Sequence, residues 1–141
     1  MHHLFVISSN DFWAEISKTH GQGGGVYKLH CLKTTGSDEF KPLPRLLHID
    51  PEGVLYIGKA LSYIDRIINL KKSLVPSKQG GEHICGRRYH GDRFEALRKA
   101  YPYELLCVTL IPSSTPETLE RDELDKYCQR FGEPPPLNRM D

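Results

Sequence analysis

The sequence predicts a small α+β (α/β) domain in which a mostly antiparallel central sheet of three to four strands is flanked by about three helices. The chain has 141 residues, which is the length of one domain with a single core. Short apolar runs of strand length alternate with segments of helical periodicity, and turns rich in Pro and Gly separate them. We therefore treat residues 1–141 as a single domain, with an N-terminal extension over 1–24 and a core over 25–138.

Apolar runs of strand length occur at several places in the chain. They are residues 4–7, 26–32, 46–49, 54–57 and 103–111. The first run is short and is expected at a sheet edge, whereas 103–111 is mostly apolar and is expected near the centre of the sheet. Residues 50–53, Asp-Pro-Glu-Gly, have the composition of a tight turn, so the runs on either side are predicted to be two strands joined by that turn.

The clearest helical pattern lies at residues 60–74. Its apolar side chains share one broad arc at about 100° per residue; they are Leu61, Ile64, Ile67, Ile68, Leu70 and Leu74. A second helix is predicted over 92–100, and a short one through about Lys18 in the N-terminal extension. The last helix is predicted to begin at 114–117, Ser-Thr-Pro-Glu, which combines a hydroxyl cap, Pro at the first helical position and an acid in the first turn, and to end near Phe131.

Charge is distributed unevenly along the chain. The formal net charge is only +1, but the stretch from Lys59 to Lys99 contains ten Lys and Arg against four Asp and Glu. From Pro112 to the end, seven acidic residues stand against four basic ones. A polyanion can therefore lie along the middle of the chain while the acidic part supplies a metal site. Taken singly, most of these charges are expected to be solvated helix faces.

The sequence bears on the cellular location of the protein and on whether it forms disulfide bonds. No apolar run approaches the roughly 20 residues of a membrane helix, and residues 4–7 are too short for a signal-peptide core. We therefore expect no membrane partner and a cytoplasmic location. The cysteines form no CxxC pair, so a disulfide framework is not expected; they are Cys31, Cys85, Cys107 and Cys128.

Two tripeptides on neighbouring predicted strands carry the strongest motif. The first is Gly25-Val26-Tyr27 and the second is Tyr56-Ile57-Gly58. Arg66 follows eight residues after the second tripeptide, a Glu stands on a later helix, and Asn138 follows a Pro-rich turn. In this order, the set resembles the GIY-YIG nuclease family over roughly residues 25–138. The resemblance implies a metal-dependent endonuclease that hydrolyses phosphodiester bonds in DNA, similar to the restriction-enzyme-like or mobile-element branches.

The chain departs from the family pattern in two ways. The separation between the tripeptides is longer than in the smallest family members, so an inserted loop or extra strand is expected there. The histidine that often stands one turn after the arginine is replaced by Leu70. Either another group takes that role, with His83 and His90 as candidates, or the role is absent.

The resemblance assigns roles to both tyrosines. The first, Tyr27, is proposed in the family as the general base, and the second, Tyr56, as a group that orients phosphate or water. A free phenol has a pKa of roughly 10, so a base role requires a nearby cation. Lys59, directly after the second tripeptide, and the hydration shell of the metal are the candidates. Taken alone, a strand tyrosine is more often a core residue.

One carboxylate is expected to hold a single Mg²⁺ or Mn²⁺ ion. Such an ion acts as a Lewis acid, and Mg²⁺ prefers oxygen ligands while keeping most of its waters. On the last helix, Glu120 projects into the apolar arc and Glu123 lies nearer the edge of that arc. A carboxylate on a core-facing stripe needs a compensating cation, either a metal or an arginine. We predict Glu120 as the metal ligand with Glu123 in reserve, and a structural ion pair is the alternative.

Arg66 is predicted to bind the phosphate that reacts. It lies at the border of the apolar arc of its helix, so its stem can pack while the guanidinium reaches a cleft. The planar guanidinium can bind two phosphate oxygens and stabilise the charge that develops on them. The alternative is a surface salt bridge with Asp65 or Glu95.

Residues 76–91 are Gly-rich and basic, and we expect them to form an irregular loop that contacts DNA. The candidate contacts are His83, Arg87, Arg88 and His90. The two histidines and Cys85 are also possible zinc ligands, but their spacing fits no standard zinc site.

Two candidates are expected to support the site through the backbone. Gly58 would keep the strand end open where backbone meets DNA, or it is a turn glycine. Asn138 would hold the site by hydrogen-bonding backbone groups, or it caps the tail.

Two other functions compete with a free-standing nuclease. One is a nucleic-acid-binding module of the same fold without turnover, which Leu70 and the modest net charge favour. The other is a nuclease subunit that cuts only within a larger complex. The sequence allows a homodimer or a larger assembly.

Overall fold

The computed structural model describes residues 3–76 and 83–138. This part of the chain forms five α-helices, a four-stranded antiparallel sheet and a separate two-stranded sheet, which is the α+β class predicted from the sequence. In chain order the elements are β1 (Phe5–Val6), α1 (Phe12–His20), β2 (Gly25–Cys31), β3 (Leu43–Pro44), β4 (Ile49–Asp50), β5 (Tyr56–Ala60), α2 (Tyr63–Leu74), α3 (Ile84–Tyr89), α4 (Glu95–Ala100), β6 (Leu106–Pro112) and α5 (Pro116–Phe131). None of the helices in the described ranges is long and apolar enough to cross a bilayer.

The main sheet has the strand order β1-β6-β2-β5, and all neighbours are antiparallel. The apolar strand β6 is internal and β1 forms one edge, as their sequences predicted. In the pair β2–β5, Tyr27 lies opposite Gly58 and Leu29 lies opposite Tyr56. Because opposite residues, and residues two apart on one strand, project from the same face, both tyrosines lie on one face of the sheet.

Helices cover both faces of the sheet. On the face that carries the two tyrosines, the main core includes Ile67 and Leu70 of α2 together with Ile16 of α1. On the other face, α5 packs Tyr127 and Phe131 against the sheet. The sheet is thus the middle layer, and β5 is the edge where groups from both faces can meet.

The N-terminal extension is part of this core. Phe5 and Ile7 are buried beside β6, and Phe12 and Ile16 of α1 are buried in the same cluster. Apolar burial of this kind stabilises the fold by roughly 1.5–3 kcal/mol per large side chain. Residues 3–24 therefore belong to the same folded unit as the strands that follow.

The strand pair predicted at 46–49 and 54–57 was wrong. The structure has the small hairpin β3–β4 there, and β5 begins only at Tyr56. The turn after β4 is held by the buried carboxylate of Asp50, which accepts hydrogen bonds from the backbone N–H of Glu52 and Val54 and from the Tyr127 hydroxyl. These three donors fix the turn against α5, a long-range contact that the local pattern does not contain.

The irregular loop predicted over 76–91 was also wrong in its second half, where α3 forms; residues 77–82 lie outside the described ranges. The helix packs directly on α2, and a Cβ added at Gly86 would lie 2.1 Å from Ser73 Oγ. Gly86 is therefore required for close helix packing. His83 is the N-cap of this helix, and its side chain accepts a hydrogen bond from the Cys85 backbone N–H.

Candidate active site

A cleft of about 690 Å³ opens at the β5 edge of the sheet, between the first turns of α2 and α5. Arg66 and Asn69 line it from α2, Glu117 and Thr118 from α5, and Lys59 from β5. Two helix N-termini, a lysine and an arginine therefore face the same space. Such an arrangement favours an anionic ligand, because the first-turn N–H groups and the cations attract negative charge.

Tyr27 and Tyr56 lie side by side on the face of the sheet that α2 covers, with ring centroids 6.1 Å apart. Tyr27 is fully buried and Tyr56 is 7% exposed. A Cβ added at Gly58 would lie 2.4 Å from Cζ of Tyr27 and 2.7 Å from Cε2 of Tyr56. Gly58 is itself buried within β5, so its role is to make room for the two rings. The prediction that it leaves backbone open to DNA was wrong.

A further tyrosine, which the sequence analysis missed, fixes the start of β2. The Tyr63 hydroxyl donates to the Val26 carbonyl oxygen at 3.1 Å. A Cβ added at Gly25 would lie 2.5 Å from this hydroxyl oxygen and 2.2 Å from the Ile111 carbonyl oxygen. The glycine of the first tripeptide is therefore required by the packing of α2 on β2. An aromatic residue at the start of the helix after the second tripeptide was the available signal.

Both phenols are neutral in this environment. Burial raises the pKa of Tyr27 well above its ordinary value, and Tyr56 adds to the rise, while the positive charge of Arg66 opposes it. Burial likewise raises the pKa of Tyr56 to about 12. The protein cation that acts on Tyr27 is thus Arg66, whereas Lys59 and the hydration shell of the metal were the candidates predicted from the sequence.

Arg66 is the electrostatic centre of the site. Burial raises the pKa of Tyr27, Tyr56 and Glu120, which come from three different elements, and the positive charge of Arg66 partly offsets this rise in each. Among the described residues it forms no ion pair with Asp65 or Glu95. The carboxylate of Glu95 is instead 3.2 Å from the ammonium group of Lys99. Arg66 is half-buried and lines the cleft together with the acidic residues Asp65 and Glu117.

The two acidic candidates on α5 differ in their surroundings. Glu123 lies 3.4 Å from the ammonium group of Lys28, so its charge is already compensated. Glu120 is half-buried and forms no ion pair within the part of the chain that the structure describes. Burial raises the pKa of the Glu120 carboxyl, Lys59 and Arg66 lower it, and Glu117 raises it further.

Glu120 fits a hard divalent cation held by one protein carboxylate. In the described ranges no group of three or more His, Cys, Asp or Glu is placed to hold a metal, which also removes support for zinc on residues 83–90. Mg²⁺ commonly binds through one or two carboxylates and keeps several waters. A half-buried carboxylate without an ion pair among the described residues provides such a donor, and Glu120 meets this description better than Glu123, which is paired with Lys28.

His83 is buried in the site and does not lie on an exposed loop. It is 1% exposed, its Nε2 lies 2.5 Å from the Tyr27 hydroxyl oxygen, and its ring packs edge-on against Tyr56. The prediction that it contacts DNA directly was therefore wrong. Of the two histidines considered in place of Leu70, only His83 contacts a tyrosine of the site, since His90 Nε2 bonds the Leu74 carbonyl oxygen at 2.9 Å. Leu70 is fully buried in the core.

The two arginines of α3 have different environments. Arg87 is exposed and stays available for a partner. Arg88 is half-buried, and its guanidinium donates to the Leu137 carbonyl oxygen at 2.7 Å. This hydrogen bond connects α3 to the C-terminal segment, so Arg88 has a structural role. The sequence had predicted only a contact with DNA for this residue.

Asn138 covers the free edge of β5. Its side-chain oxygen accepts from the Ile57 N–H at 2.8 Å and its amide donates to the Ile57 carbonyl oxygen at 2.9 Å. The Leu137 N–H donates to the Leu55 carbonyl oxygen at 2.9 Å. The backbone hydrogen bonds predicted for Asn138 are present, and they protect the sheet edge.

Comparison with models of protein families, with curated proteins and with solved structures finds no significant match to this chain. The functional conclusions below therefore depend on the residues and their geometry.

Proposed function

We propose that this chain is a metal-dependent DNA endonuclease of the GIY-YIG type that hydrolyses phosphodiester bonds. The observation that carries the proposal is the electrostatic interaction of four side chains from four elements, one of which, Arg66, lines the cleft. They are Tyr27 of β2, Tyr56 of β5, Arg66 of α2 and Glu120 of α5, and the charge of Arg66 acts on the other three. A motif that matched by chance along the chain would not be expected to converge in this way. The cytoplasmic location expected from the sequence is part of this proposal.

Arg66 would bind the phosphate group that reacts. Arg66 lines the cleft and forms no ion pair with a carboxylate among the described residues, so its guanidinium can donate to two phosphate oxygens. Lys59 lines the same cleft, and its ammonium group lies 3.9 Å from a largely exposed Glu117 carboxylate. This loose, solvated pair gives way easily to a phosphate, because exposed ion pairs contribute only ~0–1 kcal/mol.

Glu120 would hold the divalent cation. Such an ion supplies a Lewis acid and a bound water of lowered pKa. The carboxylate must lose its proton to bind a cation. Because burial raises the pKa of Glu120 and Lys59 and Arg66 only partly offset this, we expect cation binding to release a proton and to weaken as pH falls.

Tyr56 is the tyrosine placed to meet substrate. It is slightly exposed, whereas Tyr27 is fully buried. Since its pKa is raised to about 12, it would act near neutral pH as a hydrogen-bond donor to a phosphate oxygen or a water.

A nucleic-acid-binding module without turnover is the second candidate, and one observation favours it. The tyrosine expected to act as general base, Tyr27, is fully buried and its pKa is raised. If catalysis requires that base, this chain would bind DNA and leave it intact.

Incubation with supercoiled plasmid separates the two functions. The purified protein is tested with Mg²⁺, with Mn²⁺ and with excess EDTA, and DNA binding is measured in parallel by titration. The nuclease proposal expects nicked or linear plasmid only with a divalent cation. Binding without any cleavage in either metal would favour the binding module, and cleavage that persists in EDTA would contradict the metal-dependent mechanism.

A further inference from the structure

A groove of about 220 Å³ lies between α1 and α2, outside the candidate active site. Phe12 and Trp13 of α1 line one wall of this groove. The other wall consists of residues that follow the three- and four-residue spacing of one helix face; they are Ile68, Lys71, Lys72 and Val75. The groove thus combines aromatic rings, aliphatic side chains and two cations.

Trp13 presents an accessible aromatic surface in this groove. It is 38% exposed, whereas its neighbour Phe12 is buried in the core. A nucleic-acid base can stack on a rigid aromatic ring, and such stacking accepts any base because every base has a π-face. In a duplex the neighbouring base pairs cover the faces of each base, so stacking on Trp13 requires an unpaired base.

The charge of the groove is complementary to a phosphate backbone. Lys72 is exposed and Lys71 is half-buried, and neither forms an ion pair with a carboxylate in the part of the chain that the structure describes. The ammonium group of Lys71 lies 5.4 Å from the centroid of the Phe12 ring, a cation–π contact that holds it at the wall. The acidic residues of the two helices, Glu15 and Asp65, do not line the groove. Two full positive charges outweigh the roughly half negative charge at the C-terminal end of α2.

The groove continues the candidate active site along α2. Arg66 and Asn69 line the cleft, and Lys72 lines the groove. These residues are spaced three apart, so each is a neighbour of the next on the helix surface, and Arg66 and Lys72 are separated by about 9 Å along the helix axis. Asn69 between them is exposed and uncharged. A strand with one phosphate at Arg66 can therefore extend along this helix to Trp13.

We propose that the groove between α1 and α2 binds single-stranded DNA, with an unpaired base stacked on Trp13 and the adjoining phosphates bound by Lys71 and Lys72. This binding is separate from catalysis and needs no divalent cation. Only its consequence for cleavage, a preference for DNA with an unpaired strand beside the bond that is cut, rests on the proposed function.

Tryptophan fluorescence tests the groove directly, because Trp13 is the single tryptophan of the chain. The protein is titrated in excess EDTA with an oligothymidylate, with a blunt DNA duplex and with polyglutamate, and N-acetyltryptophanamide corrects for light that the DNA absorbs. We expect saturable quenching by the oligothymidylate that exceeds the quenching by the duplex. No saturable quenching by the oligothymidylate, or equal quenching by the duplex, would overturn the proposal. Quenching by polyglutamate that is at least as strong would also overturn it and would assign the groove to an acidic peptide.

Two pairs of variants separate the phosphate contacts from the stacking, with affinity measured by the anisotropy of a labelled oligothymidylate. Lys72→Gln should reduce the slope of log affinity against log salt by about 0.7, the value for one phosphate of a single strand. The matched control Lys126→Gln, which changes an exposed lysine on α5, should leave the slope unchanged. Trp13→Ala should weaken binding by about fivefold to a hundredfold, and Trp13→Phe should weaken it less at equal folded fraction. Equal slopes for the two lysine variants, or equal losses for the two tryptophan variants, would contradict the proposed contacts.

The consequence for cleavage is tested on a duplex with a single-stranded tail and on the same duplex with blunt ends. Trp13→Ala should slow single-turnover cleavage of the tailed duplex and leave that of the blunt duplex nearly unchanged. Equal losses on both substrates would contradict the path along α2. If the wild-type protein cuts neither substrate, the proposed nuclease function fails, whereas the fluorescence titration still decides whether the groove binds single-stranded DNA.

Discussion

The positive charge of Arg66 acts on several other side chains of the site. Removal of the Arg66 side chain should therefore lower the cleavage rate more than it lowers the stability of the fold. Arg66→Ala is expected to lower the single-turnover cleavage rate by roughly 10²–10³, which corresponds to about 3–4 kcal/mol of transition-state stabilisation. DNA affinity should fall much less, since other basic residues share the phosphate contacts. The control is Arg87→Ala, which removes an exposed arginine outside the cleft. A large drop in the melting temperature of Arg66→Ala would assign it a structural role.

The buried His83 predicts a specific dependence of stability on pH. Burial lowers the pKa of His83 to about 3, so between that pH and roughly 6.5 the unfolded chain binds a proton at this position that the folded chain does not. The contribution of the neutral, buried His83 to the free energy of unfolding is therefore complete above roughly pH 6.5. It is lost progressively as pH falls below that value.

Melting curves from pH 7 to pH 4 measure this effect. The melting temperature of the wild-type protein should fall more steeply with acidification than that of His83→Asn, which keeps an acceptor for the Cys85 N–H. Equal slopes for the two proteins would contradict a neutral buried His83.

The position of a residue could be predicted from the sequence where neighbouring residues in the chain determine that position. Asn138 and Arg66 follow short, ordered motifs, and both lie where the motif placed them. The position of His83 depends on the packing of Gly86 against Ser73, which is a contact between two helices. Likewise Arg88 looks like a surface cation in the sequence, and only the fold brings it to the Leu137 carbonyl oxygen.

Long apolar patterns in the sequence predicted the main strands and the long helices. Short segments with weak periodicity did not predict the elements that form there. The strands β2 and β6 and the helices α2 and α5 lie within three residues of their predicted bounds, because long apolar patterns reflect burial directly. The helix α3 was missed because glycines are unfavourable in helices. Here the absence of a side chain at Gly86 allows close packing that offsets the poor propensity.

The C-terminal segment covers the free edge of β5, and Asn138 is the residue that pairs with it. Asn138→Ala removes both hydrogen bonds to Ile57 and leaves a backbone N–H and a carbonyl group without these partners. We expect a loss of about 1–3 kcal/mol in the free energy of unfolding and faster hydrogen exchange at the Ile57 amide. The control is Asn69→Ala, which changes an exposed amide on α2. Unchanged exchange at Ile57 would show that the edge is protected by another contact.

At the scale of the whole molecule, the basic stretch from Lys59 to Lys99 was predicted to dominate DNA binding, and the fold divides it into two groups. Arg87 and Arg93 are exposed, whereas Arg88 and Arg98 are half-buried and donate to backbone carbonyl oxygens. Net charge along the sequence therefore overestimates the number of cations that are free to meet a phosphate.

This division predicts different outcomes for neighbouring arginines. DNA affinity should fall steeply with salt, because phosphate contacts release counterions. Arg87→Gln should weaken affinity and reduce the slope against log salt by about 1. Arg88→Gln should instead lower the melting temperature and leave the slope nearly unchanged. Equal effects of the two substitutions on the salt slope would contradict the assignment of Arg88 to the fold.

We propose that Glu120, a half-buried carboxylate on α5, binds the divalent cation of a DNA-cutting site, and a matched pair of carboxylate variants tests this role. Single-turnover cleavage of a labelled DNA duplex is measured against Mn²⁺ concentration for the wild-type protein, Glu120→Gln and Glu123→Gln. If Glu120 is the metal ligand, Glu120→Gln should bind DNA but lose cation-dependent cleavage. Glu123→Gln should cut nearly as well as the wild-type protein, because the carboxylate of Glu123 is paired with Lys28. Wild-type cleavage by Glu120→Gln together with an inactive Glu123→Gln would instead identify Glu123 as the ligand.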